Sequence, residues 1–283
     1  MKTDLYNITT PMIGIITSWT ENFNCIKLCQ KFDIPFCIIA DTEMRPYQEK
    51  TEDFIQQRVN ALLNKGKEIG CTHIILSPIQ ELHTKQDRIY TYWQTIIPIF
   101  SSYLEHCLQH SLVGKIGFIG GYNDISQIEA FFTIMIKSYQ PTDKQKTTKK
   151  FHLSKWTKDV SMRTYFSRLY SSRSIIINKT IKEDLTYFKD ANIDTLIPLQ
   201  YSYFDYQRTI TSYLNPKKYK FHKRNIMEEI FKDLIEKEKL VKQNLQVVTI
   251  YHTWSVHIIN SKKWKSLYSQ WEKKDIEYKL ITL

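Results

Sequence analysis

Glycine is scarce in this chain of 283 residues: there are seven, and none follows Gly121. A globular protein of this length would contain about 20 glycines at average usage. Phosphate-binding loops need glycine, because backbone amides must approach the anion closely. The second half of the chain therefore contains no glycine-rich phosphate-binding loop.

Long apolar runs and a disulfide framework are also missing. No uninterrupted apolar stretch approaches the ~18 residues that span a bilayer. The first apolar run, Met12–Ile16, is too short for a signal peptide, and Asp4 stands where a signal would be basic. An odd number of cysteines at low density indicates reduced thiols. We therefore expect a cytoplasmic protein without a membrane segment, whose cysteines are Cys25, Cys29, Cys37, Cys71 and Cys107.

Basic residues outnumber acidic residues by 40 to 29, which gives a formal net charge of +11 at pH 7. Hydrophobic residues make up 42% of the chain and charged residues 24%, a balance that excludes wholesale disorder. The positive charge favours acidic small molecules, acidic protein surfaces or nucleic acid as partners.

Short β-rich segments alternate with longer helical patterns along the whole chain. Several strand segments are almost continuously apolar, which is typical of parallel sheets flanked by helices, so we predict an α/β fold. The predicted strands are Met12–Thr17, Pro35–Ala40, His73–Ser77, Lys115–Gly120, Asp194–Leu199, Gln246–Tyr251 and Ile276–Thr282. The predicted helices are Glu52–Ile69, Pro98–His110, Asp124–Tyr139, Lys179–Asp190, Asn225–Lys239 and Ser261–Lys273. Between them, residues 141–150 form a predicted mobile basic loop.

Ligands of α/β folds bind beyond the carboxyl ends of the strands. Four segments near these ends carry recognisable motifs. Residues 40–48 read ADTEMRPYQ, residues 72–77 read THIILS, residues 115–121 read KIGFIGG and residues 194–197 read DTLI. In this order they resemble the GDTxxxPYG, ACNT, GxIGVIGT and DTLILGCTHYP segments of the aspartate/glutamate racemase superfamily, and of glutamate racemase most closely. The resemblance covers nearly the whole chain.

This resemblance implies two lobes related by a pseudo-twofold axis, each a mostly parallel sheet flanked by helices, with the active site in the cleft between them. The first lobe would combine residues 1–97 and 215–283, and the second would be residues 98–214. The family uses no cofactor and no metal, and its members are commonly dimeric. Two cysteines on opposite faces of the substrate remove and return the α-proton, which suits thiols whose pKa is lowered toward neutral pH.

Both family cysteines are replaced in this chain. The first falls on Pro78, which has no side chain that can take a proton, and the second falls on Gln200, whose amide is not a useful base. The family's second-motif histidine falls on Ser202, and a substrate-holding threonine falls on Asp124. The resemblance places substrate-binding positions at Thr17, Ser18, Asp41, Tyr47, Gln48, Ile79, Gln80, Asp124, Tyr201 and Ser202. We therefore expect no two-cysteine racemisation.

Replacement acids and bases stand near both lost cysteines. Glu81 follows Pro78 closely, and Asp205 follows Gln200. Burial tunes such groups for proton transfer, so these two are the candidates for a rebuilt site, with Asp41 and Tyr201 nearby in the same motifs. The alternative that we favour puts Glu81 on the first turn of a solvated helix, together with His83. Asp41 could equally cap its own loop.

Several other patterns favour ordinary structural roles. Residues 70–73 spell GCTH, like part of the family's second motif, but precede a strand instead of following one. His106, Cys107 and His110 have helical spacing without a further ligand nearby in the sequence, so we expect no metal. Cys25 and Cys29, one helical turn apart, are interpreted as packing residues.

Three hypotheses remain. The first is a degenerate racemase-like protein that binds a small polar or anionic ligand or a partner. The second is an active racemase, isomerase or related proton-transfer enzyme with rebuilt residues. The third, less favoured, is binding of nucleic acid or an acidic protein through the basic, aromatic-containing segments Lys144–Lys158 and Lys217–Arg224.

Overall fold

The computed structural model describes residues 12–17, 23–43, 47, 50–83, 95–120, 128–129, 131–133, 152–157, 175–199, 201–214, 220–221, 224–240, 242, 247–253 and 275–283. Strands and helices alternate over these residues. In chain order they are β1 Ile13–Thr17, α1 Phe23–Lys31, β2 Phe36–Ala40, α2 Glu52–Ile69, β3 His73–Ile75, α3 Pro78–His83, β4 Thr95–Ile97, α4 Ile99–His110, β5 Lys115–Gly120, β6 His152–Thr157, α5 Ile175–Asp190, β7 Thr195–Pro198, a 3₁₀ helix Tyr201–Tyr206, α6 Gln207–Tyr213, β8 Lys220–Phe221, α7 Arg224–Lys237, β9 Val247–His252 and β10 Asp275–Leu280.

The strands form two sheets. The first has the order β10-β9-β2-β1-β3-β4, and the second has the order β6-β5-β7-β8. Every strand pairing in the described ranges is parallel. The predicted α/β class with parallel sheets flanked by helices is therefore confirmed.

The central strands of the first sheet are buried over their whole length, as their apolar runs predict. All five residues of β1 and all five of β2 are buried, and the strands pair from Ile13 opposite Phe36 to Thr17 opposite Ala40. Gly14 matters for packing here, because a Cβ at this position would lie 2.8 Å from Ile74 Cδ1 and 2.9 Å from Cys71 Sγ. Side chains on the α2 side of the sheet therefore pack closely over Gly14.

The seven predicted strands are all present, with ends that differ by at most two residues. Three further strands were not predicted: β4, β6 and β8, each of which lies at the edge of a sheet. β4 and β8 are only three and two residues long, and β6 is largely polar, so none of the three forms a long apolar strand pattern. β8 pairs with β7, so the second sheet extends to Phe221, beyond the predicted lobe boundary at 214. The predicted helix 261–273 and the predicted loop 141–150 lie outside the described residues, as does most of the predicted helix 124–139.

Helix α2 shows how local sequence sets an element's ends. The Thr51 side chain accepts a hydrogen bond from the Phe54 amide at 3.3 Å. The negative charges of Glu52 and Asp53, in the first turn, interact favourably with the positive end of the helix dipole. Gly70 ends the helix with a left-handed backbone, at φ 91°. This helix coincides with its predicted range.

Helix α4 links the two sheets. It follows β4 of the first sheet and precedes β5 of the second, and it packs against α7 and β7. Tyr103 of α4 is fully buried and meets Phe204 edge to face, with ring centroids 5.7 Å apart. One apolar cluster accordingly contains residues of both sheets, among them Ile15 and Phe118.

A buried carboxylate fixes the turn after α4. Asp194, the residue before β7, accepts hydrogen bonds from the Ser111 hydroxyl at 2.9 Å and from the amides of Leu112 and Val113 at 2.5 and 2.7 Å. The Ser111 oxygen in turn accepts from the Gly114 amide at 2.9 Å. The polar groups of a tight turn are thus satisfied beside the core.

None of the helices in the described ranges combines the length and the apolar character that crossing a bilayer requires.

Candidate functional site

Polar residues collect where the parallel strands of the first sheet end. Thr17 ends β1, Asp41 follows β2, Ser77 lies just beyond β3, and Thr253 follows β9. Because these strands are parallel, their carboxyl ends share one edge of the sheet, which we call the carboxyl edge. Parallel α/β sheets bind ligands at this edge.

The Asp41 carboxylate is the centre of a buried network. Its Oδ2 accepts hydrogen bonds from Arg58 Nε at 2.7 Å and from the Tyr47 hydroxyl at 2.5 Å. Its Oδ1 accepts from Arg58 Nη2 at 3.0 Å and from Thr253 Oγ1 at 2.9 Å. An ionised carboxylate offers about four acceptor positions, so this set of donors fills them.

Electrostatics favour the ionised form of Asp41. Burial acts to raise the pKa of this carboxyl, but hydrogen bonds from Arg58 and Tyr47 and the Arg58 charge outweigh it, so the pKa falls below its ordinary value. The same pairing raises the pKa of Arg58. Asp41 is therefore a permanently charged anchor at neutral pH.

This network also holds the loop after β2. Thr253 Oγ1 accepts hydrogen bonds from the amides of Thr42 at 3.1 Å and Glu43 at 3.2 Å, and Arg58 donates to the Glu43 carboxylate at 2.8 Å. The Thr17 carbonyl accepts from the Asp41 amide at 2.8 Å. The predicted site residues Thr17, Asp41 and Tyr47 are thus brought together. Their substrate contacts stay a prediction.

Pro78, at the position of the family's first cysteine, is the first residue of helix α3. The Ser77 amide donates to Gln80 Oε1 at 2.9 Å, and the Gln80 amide donates to Ser77 Oγ at 3.4 Å. This reciprocal pair is a capping box, and proline is favoured at the next position because its missing N–H would have no helical partner. Ser77, Pro78 and Gln80 are all buried.

Glu81 is buried, with 2% of its surface exposed. The interpretation that places Glu81 on a solvated helix is therefore wrong on this point. Glu81 is buried because it caps helix α4. Pro98, the residue before this helix, makes no side-chain hydrogen bond to its first turn. Glu81 supplies that cap from a distance: it accepts hydrogen bonds from the amides of Phe100 at 3.1 Å and Ser101 at 2.9 Å, and from the Ser101 hydroxyl.

Burial raises the pKa of Glu81, and the hydrogen bonds from Ser101 and Phe100 only partly oppose this effect. Its described partners are neutral donors, whereas Asp41 is paired with a cation. The candidate site region thus contains two buried carboxyl groups whose pKa values are moved in opposite directions. Such separation is typical of acid and base roles, and it also occurs in structural networks.

The remaining predicted site residues are described only in part or not at all. Tyr201, Ser202 and Asp205 lie on the 3₁₀ helix after β7, and Ile79 lies on α3, each without a described side chain. His83 ends α3, also without a described side chain. Ser18, Gln48, Asp124 and Gln200 lie outside the described residues.

Three contributing residues, Arg58, Ser101 and Thr253, were missed by the sequence reasoning. Arg58 is 17 residues from Asp41 and Thr253 is 212 residues from it, while Ser101 is 20 residues from Glu81. A basic residue on the buried side of α2 was the one available signal, since an arginine there needs an acidic partner.

The cysteines and histidines outside this region pack as structural residues. All five cysteines are buried, and none of them forms a disulfide bond. Cys25 and Cys29 belong to the apolar core, as predicted, and burial raises the pKa of both thiols. His106 and His110 stack with ring centroids 4.1 Å apart. Across the described ranges, no three His, Cys, Asp or Glu side chains converge in a way that could hold a metal ion.

Comparison of the whole chain with known proteins gives matches in structure only. No family model matches the chain, and the search of curated proteins finds no match. Among solved structures, a glutamate racemase isoform of Bacillus anthracis superposes with a TM-score of 0.75 at 16% identity, covering 96% of this chain and 98% of that one.

Two further structures agree. Glutamate racemase of Francisella tularensis, in complex with D-glutamate, superposes with a TM-score of 0.72 at 16% identity, over 96% of this chain and 98% of that one. Glutamate racemase of Aquifex pyrophilus superposes with a TM-score of 0.67 at 16% identity, over 95% and 98%. The chain therefore has the fold of the aspartate/glutamate racemase superfamily, as the motifs at its strand ends predict.

Proposed function

We propose that this protein keeps the racemase fold without two-cysteine racemisation, and that it binds a small polar or anionic molecule at the carboxyl edge of its first sheet. The observation that carries the proposal is the capping box of α3. Where the resemblance expects a thiol, Pro78 begins a helix whose first turn is closed by Ser77 and Gln80. This position offers no proton-carrying side chain.

The cysteines present elsewhere are poor substitutes. A thiol acts as a base near neutral pH when its surroundings lower its pKa. Burial instead raises the pKa of Cys25, Cys29 and Cys107, and these residues lie in the apolar core. The absence of a suitable thiol at Pro78, together with glutamine at position 200, argues against the two-thiol reaction.

The ligand class follows from charge and from the fold. The chain carries a net charge of +11, which favours acidic molecules. The Francisella tularensis protein of the same fold was solved with D-glutamate. Small amino acids and carboxylates are therefore the first molecules to test with this chain.

A second candidate is proton transfer with Glu81 as the acid or base. One observation favours it: Glu81 is a buried carboxyl with a raised pKa, three residues beyond Pro78. Its hydrogen bonds to α4 count against it, because they occupy both carboxylate oxygens in this structure.

The deciding experiment is α-proton exchange in D₂O, followed by NMR over a panel of amino acids that includes both glutamate enantiomers. We expect no exchange above the buffer rate, with binding of a panel member detected by calorimetry. Glu81→Gln is the test variant, and Glu105→Gln, on the exposed face of α4, is the matched control.

The outcomes separate the two candidates. Exchange that Glu81→Gln abolishes and Glu105→Gln preserves would replace the first proposal by the second. Exchange that survives Glu81→Gln would contradict both. Absence of both exchange and binding from a folded sample would overturn the ligand part of the first proposal.

A further inference from the structure

Two buried thiols meet on the helix α2 side of the first sheet. Cys37 lies on β2, and Cys71 lies in the turn between Gly70 and β3. Their Sγ atoms are 3.5 Å apart, and the two residues are 1% and 4% exposed. Neither residue belongs to the network of the candidate site. The pair therefore needs an explanation of its own.

The contact crosses an intervening strand. β1 lies between β2 and β3, and Gly14 of β1 is paired with Cys37. A Cβ on Gly14 would lie 2.9 Å from Cys71 Sγ, inside the space that this sulfur occupies. The missing side chain of Gly14 thus provides the room in which the two thiols reach each other.

We propose that Cys37 and Cys71 form a reversible intramolecular disulfide under peroxide stress. In the first step one thiol sulfur attacks a peroxide oxygen. The O–O bond breaks, a sulfenic acid forms, and the thiol proton leaves in one water. In the second step the other sulfur displaces the sulfenic oxygen, which departs as a second water with the remaining thiol proton. Two thiols are oxidised by two electrons in total, and one hydrogen peroxide is reduced to two waters.

Contact between the sulfurs makes the second step fast relative to the first. The hydrogen bond with Cys71 and burial raise the pKa of Cys37, so that thiol stays protonated and its initial oxidation is slow. Any sulfenic acid formed at either residue already has the partner sulfur beside it. The pair therefore traps oxidation as a disulfide before the irreversible sulfinic acid can form.

Cys25 and Cys29 provide an internal comparison, since they are also two buried cysteines. They lie one turn apart on α1, where Cβ atoms are about 5–6 Å apart. A disulfide needs Cβ atoms about 3.5–4.5 Å apart, so Cys25 and Cys29 cannot bridge without unwinding the helix. Cys37 and Cys71 need a smaller change: the turn at Cys71 must shift until the two sulfurs, now 3.5 Å apart, reach the S–S bond length of about 2.05 Å.

The disulfide would enclose the candidate site. The loop closed between residues 37 and 71 contains helix α2 and the network residues Asp41, Tyr47 and Arg58. A bridge at its base would tie α2 to the sheet and restrict how far the loop after β2 can move. Peroxide would thereby act on the carboxyl edge from a distance.

The test is a thiol count after the folded full chain is treated with hydrogen peroxide, denatured and alkylated. We expect alkylation to fall from five thiols to three, with a mass loss of two hydrogens before alkylation. Peptide mapping should find one linked pair that joins Cys37 to Cys71, and dithiothreitol should reverse the change. Cys25→Ser should leave the linked pair unchanged.

Two variants check the mechanism. Cys71→Ser should abolish the link and let a sulfenic acid at Cys37 accumulate, which dimedone labels. Cys37→Ala should give the reciprocal result at Cys71, and circular dichroism checks the folding of both. If either variant fails to fold, the peptide map of the wild-type chain still decides. Five alkylatable thiols after peroxide treatment, or a link between any other pair, would overturn the proposal.

Discussion

Asp41 and Glu81 are both buried carboxyl groups, yet their surroundings move their pKa values in opposite directions. Asp41 is paired with the Arg58 guanidinium, whereas the described partners of Glu81 are backbone amides and one hydroxyl. A cation stabilises a carboxylate more than neutral donors do, and burial dominates where no cation compensates it. The two residues should therefore respond to pH in opposite senses.

Replacing Asp41 by asparagine should destabilise the fold, because Arg58 and Tyr47 lose an acceptor in a buried site. We expect a loss of about 3 kcal/mol in the free energy of unfolding at pH 7. Since the folded pKa of Asp41 is lowered, its stabilisation is present above the unfolded pKa and disappears as the pH falls through the folded pKa. Urea unfolding should accordingly show wild type and Asp41→Asn converging in acid. Asp53→Asn, an exposed position on α2, is the control, and equal effects of the two substitutions would contradict the prediction.

Replacing Glu81 by glutamine should have the reverse pH dependence. The folded pKa of Glu81 is raised, so its favourable contribution is complete below the unfolded pKa and is lost as the pH rises through the folded pKa. The stability of wild type relative to Glu81→Gln should therefore fall as the pH rises above about 4.3, the ordinary pKa of a glutamate. Urea unfolding at several pH values measures this difference. A constant or rising difference would count against the assignment.

At the scale of elements, a helix or strand can be predicted from the sequence when the contacts that determine it are close together in the chain. The apolar runs of β1 and β2 and the caps of α2 are local, and these elements were predicted within one residue. The capping box of α3 is also local and is visible in the order Ser-Pro-Ile-Gln. The burial of Glu81 depends on a helix that begins 18 residues later, so the surrounding sequence gave no sign of it.

The residues of the candidate site also divide into those set by local sequence, which were predicted, and those set by distant contacts, which were not. Asp41 and Tyr47 stand in one short motif, and sequence reasoning found both. Arg58 and Thr253 join them through the packing of α2 and through the pairing of β2 with β9. Such partners depend on the assembled sheet order, which a linear pattern does not encode.

Removing the Ser77 hydroxyl should weaken the start of α3. Ser77→Ala leaves the Gln80 amide without its described acceptor, at a cost of about 1 kcal/mol. Gln80→Ala removes the reciprocal bond, so the double substitution should cost less than the sum of the two single ones. Thermal unfolding of the three variants measures this, with Ser102→Ala on α4 as the control. Strict additivity would show that the two hydrogen bonds do not act as one cap.

At the scale of the whole molecule, the two sheets share one apolar cluster. Ile15 in β1 and Phe118 in β5 both belong to it, and α4 crosses from one sheet to the other. A shared core couples the stability of the parts that line it, even where the chain forms two sheets. Separate unfolding of each sheet would expose apolar surface on the other.

We therefore expect a single unfolding transition. Phe118→Ala should lower the free energy of unfolding of the entire molecule by about 3–5 kcal/mol, because its side chain is fully buried. Differential scanning calorimetry should give equal calorimetric and van't Hoff enthalpies for wild type. Tyr187→Ala, at a partly exposed aromatic on α5, should change little. Two resolved transitions, of which Phe118→Ala shifts one, would contradict the expectation.

The Glu81 and Asp194 carboxylates, which accept hydrogen bonds at the start of helix α4 and just after its end, should affect amide hydrogen exchange. First-turn amides normally lack a partner within the helix and exchange quickly with solvent. Here Glu81 accepts from the first-turn amides of Phe100 and Ser101. Asp194 accepts from the amides of Leu112 and Val113, which lie in the turn just beyond the helix and whose side chains are exposed. These amides should exchange with deuterated water as slowly as amides in the middle of the helix.

Each carboxylate should protect the amides that it binds: Glu81 those in the first turn of α4, and Asp194 those in the turn after it. Glu81→Gln should speed exchange at residues 100–101 and leave residues 112–113 protected, and Asp194→Asn should do the opposite. Mass spectrometry of peptides from the two ends distinguishes these patterns, and rapid exchange at both ends of the wild-type protein would contradict them. The start of a helix held in this way should exchange no faster than its middle, whereas most helices open first at their ends.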